Sequence, residues 1–91
     1  MTALSETERA AQDERTRRML ASRPTLTDTA DGLTLTFLEN RHIRRDVEDW
    51  LALERRCCPF ASFDLIDRST TFILRISGPA GTKDIFRAVF V

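Results

Sequence analysis

Along this chain of 91 residues the spacing of hydrophobic positions switches from helical to extended and back, twice over. Residues 5–22 predict a helix. Ser5 at the N-cap with Glu8 three residues later makes a capping box, and acids crowd the first turn. Arg15, Arg17 and Arg18 lie toward the C-terminal end, where the helix dipole favours cations. Its apolar positions are few: Leu4, Ala10, Ala11, Met19 and Leu20. So thin a stripe predicts a helix that is peripheral, frayed or packed on another subunit. Pro24 is expected to end it.

Thr25–Thr29 is a short candidate strand and Asp31-Gly32 a turn signal. In Leu33–Leu38, Leu33, Leu35 and Phe37 alternate with Thr34 and Thr36, which predicts a hairpin with one wet face. Asn40 is a natural N-cap for a second helix from Arg41 to about Cys57. On it Ile43, Val47, Trp50, Leu51, Glu54, Cys57 and Cys58 recur at spacings of three and four, opposite a run of Arg, Asp and Glu. Pro59 disfavours helical geometry at Cys58. Phe63, Leu65 and Asp67 then share one strand face, Arg68-Ser69-Thr70 is turn-like, and Phe72, Leu74 and Ile76 alternate with Ile73 and Arg75. Gly78-Pro79-Ala80-Gly81 breaks the chain before a last helix at about 82–90 that carries Ile85, Phe86, Val89 and Phe90.

The predicted order is α-ββα-ββα, an α+β fold. An N-terminal helix over 1–24 lies peripheral to a single ββα-ββα domain over 25–91. Its two ββα units form a four-stranded antiparallel sheet with both long helices on one apolar face. No residue-level repeat accompanies the repeated hairpin-then-helix order.

Length and composition narrow the function. The chain suffices for one domain and is too short for two. Fourteen basic residues balance fourteen acidic ones. That balance argues against a nucleic-acid partner, which selects a basic excess or face. No apolar run approaches the roughly twenty residues that span a bilayer, so no membrane partner is expected. Met1-Thr2-Ala3-Leu4-Ser5-Glu6 places acid where a signal peptide needs Lys or Arg. The two cysteines are accordingly expected as reduced thiols and the protein as cytoplasmic.

The one chemically distinctive segment is Glu54-Arg55-Arg56-Cys57-Cys58-Pro59-Phe60. Thiolate is the active form of cysteine both as ligand and as nucleophile. Two adjacent thiols at a helix end can converge on a soft ion such as Cu(I), Zn(II), Hg(II) or As(III). Zinc prefers four ligands, which a two-fold homodimer would supply as four sulfurs, or which Glu54 or His42 would help complete. Glu54 precedes Cys57 by three residues and Cys58 by four, so it shares their helix face. A carboxylate on that otherwise apolar stripe is costly to bury unless protonated, hydrogen-bonded or ligating. Cysteines, however, also fill cores as small hydrophobes. The helix C-terminus raises a thiol pKa, whereas Arg55 and Arg56 act the other way. A disulfide between adjacent cysteines needs a strained ring.

Glu54-Arg55-Arg56-Cys57-Cys58-Pro59-Phe60-Ala61-Ser62-Phe63, followed by Leu74-Arg75-Ile76-Ser77-Gly78-Pro79-Ala80-Gly81, resembles a family of small, largely uncharacterised bacterial proteins. Their pattern is E-x-x-C-C-P-F-x-x-F, then a strand and G-P-x-G. The resemblance covers residues 33–90. It implies that Glu54, Cys57 and Cys58 act together and that such segments accompany metal-responsive regulators; it carries no enzymatic activity.

The remaining candidates read as structure. His42, the single histidine, is about fifteen residues of helix from Cys57, over about 20 Å, and cannot join it within one chain. Trp50, Phe60, Phe63, Phe72, Phe86 and Phe90 are expected mainly in the core, with Phe60 and Phe63 able to wall the thiols. Gly78–Thr82 before a helix can seat an anion but lacks P-loop spacing. Three functions follow from the residues. The first is a soft metal or metalloid bound through Cys57 and Cys58 with Glu54. The second is a homodimeric interaction module with the cysteines in its core. The third is a thiol-dependent enzyme acting on a small electrophile.

Overall fold

Each segment of the chain takes up the element that its hydrophobic spacing predicts. The computed structural model describes residues 4–90. They form α1 (Glu6–Ala21), β1 (Thr25–Asp28), β2 (Gly32–Leu38), α2 (Arg41–Cys57), β3 (Ser62–Asp67), β4 (Thr71–Ser77) and α3 (Thr82–Phe90). The fold is α+β.

Local chemistry sets the element ends. The Ser5 hydroxyl accepts from the Glu8 amide and the Glu8 carboxylate accepts from the Ser5 amide, both at 3.1 Å. The capping box therefore satisfies donors that a helix start leaves free. Asn40 Oδ1 caps α2 by accepting from the His42 and Ile43 amides at 2.9 and 3.1 Å. Gly81 takes φ +96° just before α3, a conformation that side chains with a Cβ rarely adopt.

The sheet order is β1-β2-β4-β3, with every pairing antiparallel. α2 carries the chain across, so the two hairpins join through their inner strands β2 and β4. Register places Leu33, Ile76 and Phe63 in one row of the inner face, Leu35, Leu74 and Leu65 in the next, and Phe37, Phe72 and Asp67 in the last. All but Leu65 and Asp67 are buried. At Gly32 the β4 backbone comes so close that a Cβ would collide with the Ile76 carbonyl. Thr25, Thr27, Thr34, Thr36, Ile66, Ile73, Asp64 and Arg75 occupy the other face and are exposed or half-buried, which is why β2 reads as a clean alternation.

α2 and α3 close the inner face around an aromatic cluster. Trp50 lies 6.0 Å from Phe63, 6.2 Å from Phe86 and 5.4 Å from Phe90, mostly edge-on, the arrangement that ring quadrupoles favour. Ile85 and Val89 of α3 stay exposed, so only half of its expected apolar set enters the core.

α1 departs from expectation. It lies along α2 of its own chain, with Met19 fully buried in the common core cluster and Gln12 buried beside it. The thin stripe misled because part of the buried face of this helix is polar. After α1, Arg23 takes the left-handed turn at φ 56° that ends the helix ahead of Pro24.

Among the described residues no helix is long and apolar enough to cross a membrane.

Candidate functional site

The last two turns of α2 stack Trp50, Glu54 and Cys58 at four-residue intervals, so the carboxylate lies between the aromatic core and the thiols. The Cys58 amide donates to the Glu54 carbonyl at 2.7 Å as the final helical bond. Cys58 itself has left helical geometry, at φ −124° and ψ 68°, as Pro59 requires. Its carbonyl then accepts from the Ala61 amide at 3.1 Å, turning the chain into β3.

Cys57 and Cys58 are both free thiols and both half-buried, and the pair lies 4.0 Å apart. Cys58 packs against the core, and its thiol interacts with the neighbouring Cys57 side chain.

Glu54 is half-buried, and no ion pair to it forms among the described residues. Its Oε2 accepts instead from Gln12 Nε2 of α1 at 3.2 Å. The same amide nitrogen donates to the Trp50 carbonyl at 3.0 Å, and Gln12 Oε1 accepts from Arg15 at 3.2 Å. Gln12 is the site residue that sequence reasoning missed. Its signal was position: it stands seven residues, two helical turns, before Met19 and so shares the one buried face of α1.

The arginines flanking the thiols are engaged elsewhere. Arg55 donates to the Phe63 carbonyl on β3 at 3.0 Å, and Arg56 pairs with Glu8 of α1 at 2.8 Å. The expectation that they lower the thiol pKa therefore does not hold at Cys58. Burial, then the Glu54 carboxylate and then Cys57 push the Cys58 thiol from an ordinary 9.0 up to about 12. Burial likewise raises the Glu54 carboxyl above its ordinary 4.5, with the Gln12 hydrogen bond opposing it more weakly. For Cys58, raised in the folded state, this stability is fully present below pH 9.0 and is lost as pH rises toward about 12.

Among the described residues no group of three or more His, Cys, Asp or Glu side chains is gathered closely enough to hold a metal ion. Glu54 is thus not preassembled with Cys57 and Cys58, although it shares their face. His42 is exposed at the opposite end of α2. Phe63 does not wall the thiols either: it is consumed by the core, edge-on to Trp50 and Phe86, while Phe60 is 40% exposed.

A neutral, partly buried thiol beside an unpaired carboxylate is poorly disposed to attack an electrophile, which calls for a thiolate. Coordination of a soft cation calls for thiolate too, so the raised Cys58 thiol opposes both kinds of chemistry near neutral pH. Compared with protein-family models, with curated proteins and with solved structures, the chain shows no significant match.

Proposed function

We propose that this protein binds a soft metal or metalloid ion, of the Cu(I), Zn(II), Hg(II) or As(III) kind, through Cys57 and Cys58 with Glu54 in support. The observation that carries it is Glu54: a half-buried carboxylate, served among the described residues only by a neutral amide, one turn from two adjacent free thiols. A buried charge without a counter-ion is costly, and a cation at the thiols would offset it. On binding, each coordinating thiol gives up its proton to solvent, so affinity rises with pH. Such chemistry belongs in a reducing compartment such as the cytoplasm, where free thiols persist.

The packing of Cys58 against the core favours a second reading, in which the cysteines are structural and the protein is a homodimeric interaction module. Native mass spectrometry of reduced protein, titrated with Cu(I), Zn(II) and Hg(II) beside a Cys57→Ser/Cys58→Ser variant, decides between them. Metal retained by the wild type and lost by the variant is the expected result, and one ion per two chains would show a site shared across a homodimer. No metal retained, with thiols silent to Ellman's reagent until unfolding, sinks the proposal in favour of the interaction module.

A further inference from the structure

Glu54 belongs at once to the proposed site and to the seam that holds α1. That seam has one fully buried apolar anchor, Met19. Leu20 packs half-buried against the same core, and polar ties add to the hold: Gln12 on the Trp50 carbonyl and on Glu54 at 3.0 and 3.2 Å, Arg18 on both oxygens of Asp46 at 3.0 and 2.9 Å, and Arg56 on Glu8 at 2.8 Å. Two of these ties, those from Glu54 and Arg56, spring from the turn that carries the cysteines.

We propose that a soft cation on Cys57 and Cys58 draws Glu54 away from Gln12 and so loosens α1, making the helix a reporter of the occupancy of the site. This rests on the metal-binding proposal above. While α1 is docked, Glu54 and the two sulfurs do not form a three-donor group, so the carboxylate must turn from Gln12 to join them. A cation is a stronger partner for a carboxylate than a neutral amide, which sets the direction of the exchange. Binding and docking then compete for one side chain, and by reciprocity whatever weakens the Gln12 bond tightens the cation. Were Gln12 instead an outer support that orients a ligating carboxylate, its removal would weaken binding.

The test is hydrogen exchange of the amides of residues 6–21 in the full chain, with and without one equivalent of Hg(II), while native mass spectrometry reads occupancy on the same samples. Occupancy is expected to speed α1 exchange about tenfold, the loss of one hydrogen bond to a charged group, with α3 unchanged. Glu54→Ala should speed it similarly with no metal present, and Gln12→Met should hold Hg(II) several-fold more tightly against a competing dithiol. Mercury retained beside unchanged or slower α1 exchange overturns the coupling alone, as does weaker retention by Gln12→Met. No mercury on the wild type overturns the metal-binding proposal and the coupling with it. Unaltered α1 exchange in metal-free Glu54→Ala overturns the coupling whether or not metal binds.

Discussion

Where α3 meets the sheet, Phe86 and Phe90 close on Trp50, and Phe86 on Phe63, with ring centroids 5.4 to 6.2 Å apart. Where α1 meets α2, Met19 is the one fully buried apolar side chain of α1 among the described residues, Leu20 packs half-buried against the core, and Gln12, Arg18 and Arg56 add hydrogen bonds to α2 or from it. The first seam is held by area removed from water, which is non-directional and offers no charged or polar group for an ion to compete for. The second is held by a few directed bonds, each of modest net worth and each open to competition by water, salt or another ion. A small domain therefore has one face that defines it and one that can be adjusted. The candidate site lies on the adjustable face.

The comparison breaks most visibly in the core. Trp50→Ala should cost about 3–5 kcal/mol, the usual range for emptying a buried aromatic site, and urea denaturation should show much of a 91-residue domain's stability gone. Met19→Ala should cost about 2–3 kcal/mol, and hydrogen exchange should place the loss in α1 ahead of the sheet. Equal loss in both would show that the two seams are one cooperative unit.

At the thiols the difference is kinetic. With Cys58 held up to about 12 rather than 9.0, its thiolate is scarcer by about a thousand-fold. The higher nucleophilicity of a more basic thiolate offsets part of this, leaving alkylation slower by about 30-fold. Iodoacetamide labelling of the wild-type chain, native against unfolded, with fragment-ion mass spectrometry resolving Cys58 from Cys57, measures it. Rates within a factor of two would show that Cys58 is freely solvated.

The smallest effect concerns Glu54. Its folded carboxyl titrates above its ordinary value, so ionising it opposes folding, and the burden grows as pH rises through that raised value. Glu54→Gln removes the charge and keeps an oxygen for Gln12. It should stabilise the protein at pH 7 by no more than about 1 kcal/mol, given partial solvation and screening, and the gain should vanish below about pH 4. Thermal melts at both pH values check the sign.

The fold was legible in the sequence to an unusual depth because its signals were local. The alternation in Leu33–Leu38 and Phe72–Ile76, the caps at Ser5 and Asn40, and the break at Pro59 each specify an element without reference to the rest of the chain. The site was legible only in part. Spacing put Glu54, Cys57 and Cys58 on one face of α2, as periodicity must. It could not show that Arg55 and Arg56 turn to Phe63 and Glu8, or that Phe63 enters the core instead of lining the thiols. Those choices depend on partners that lie elsewhere in the chain.

The sequence by itself therefore determined the order of elements, the inner face of the sheet and the placing of two thiols where α2 ends. These follow from side-chain periods of 2 and 3.6 and from backbone limits at Pro59, Gly81 and the caps, all of which act within a few residues. Only the tertiary structure decided that α1 docks on α2 and that Gln12, thirty-eight and forty-two residues away from its partners Trp50 and Glu54, holds the carboxylate of the candidate site. Period can place Gln12 on the buried face of α1 but cannot name its partners: a buried hydrogen bond is specified by the meeting of two surfaces, and that meeting exists only once the chain has folded.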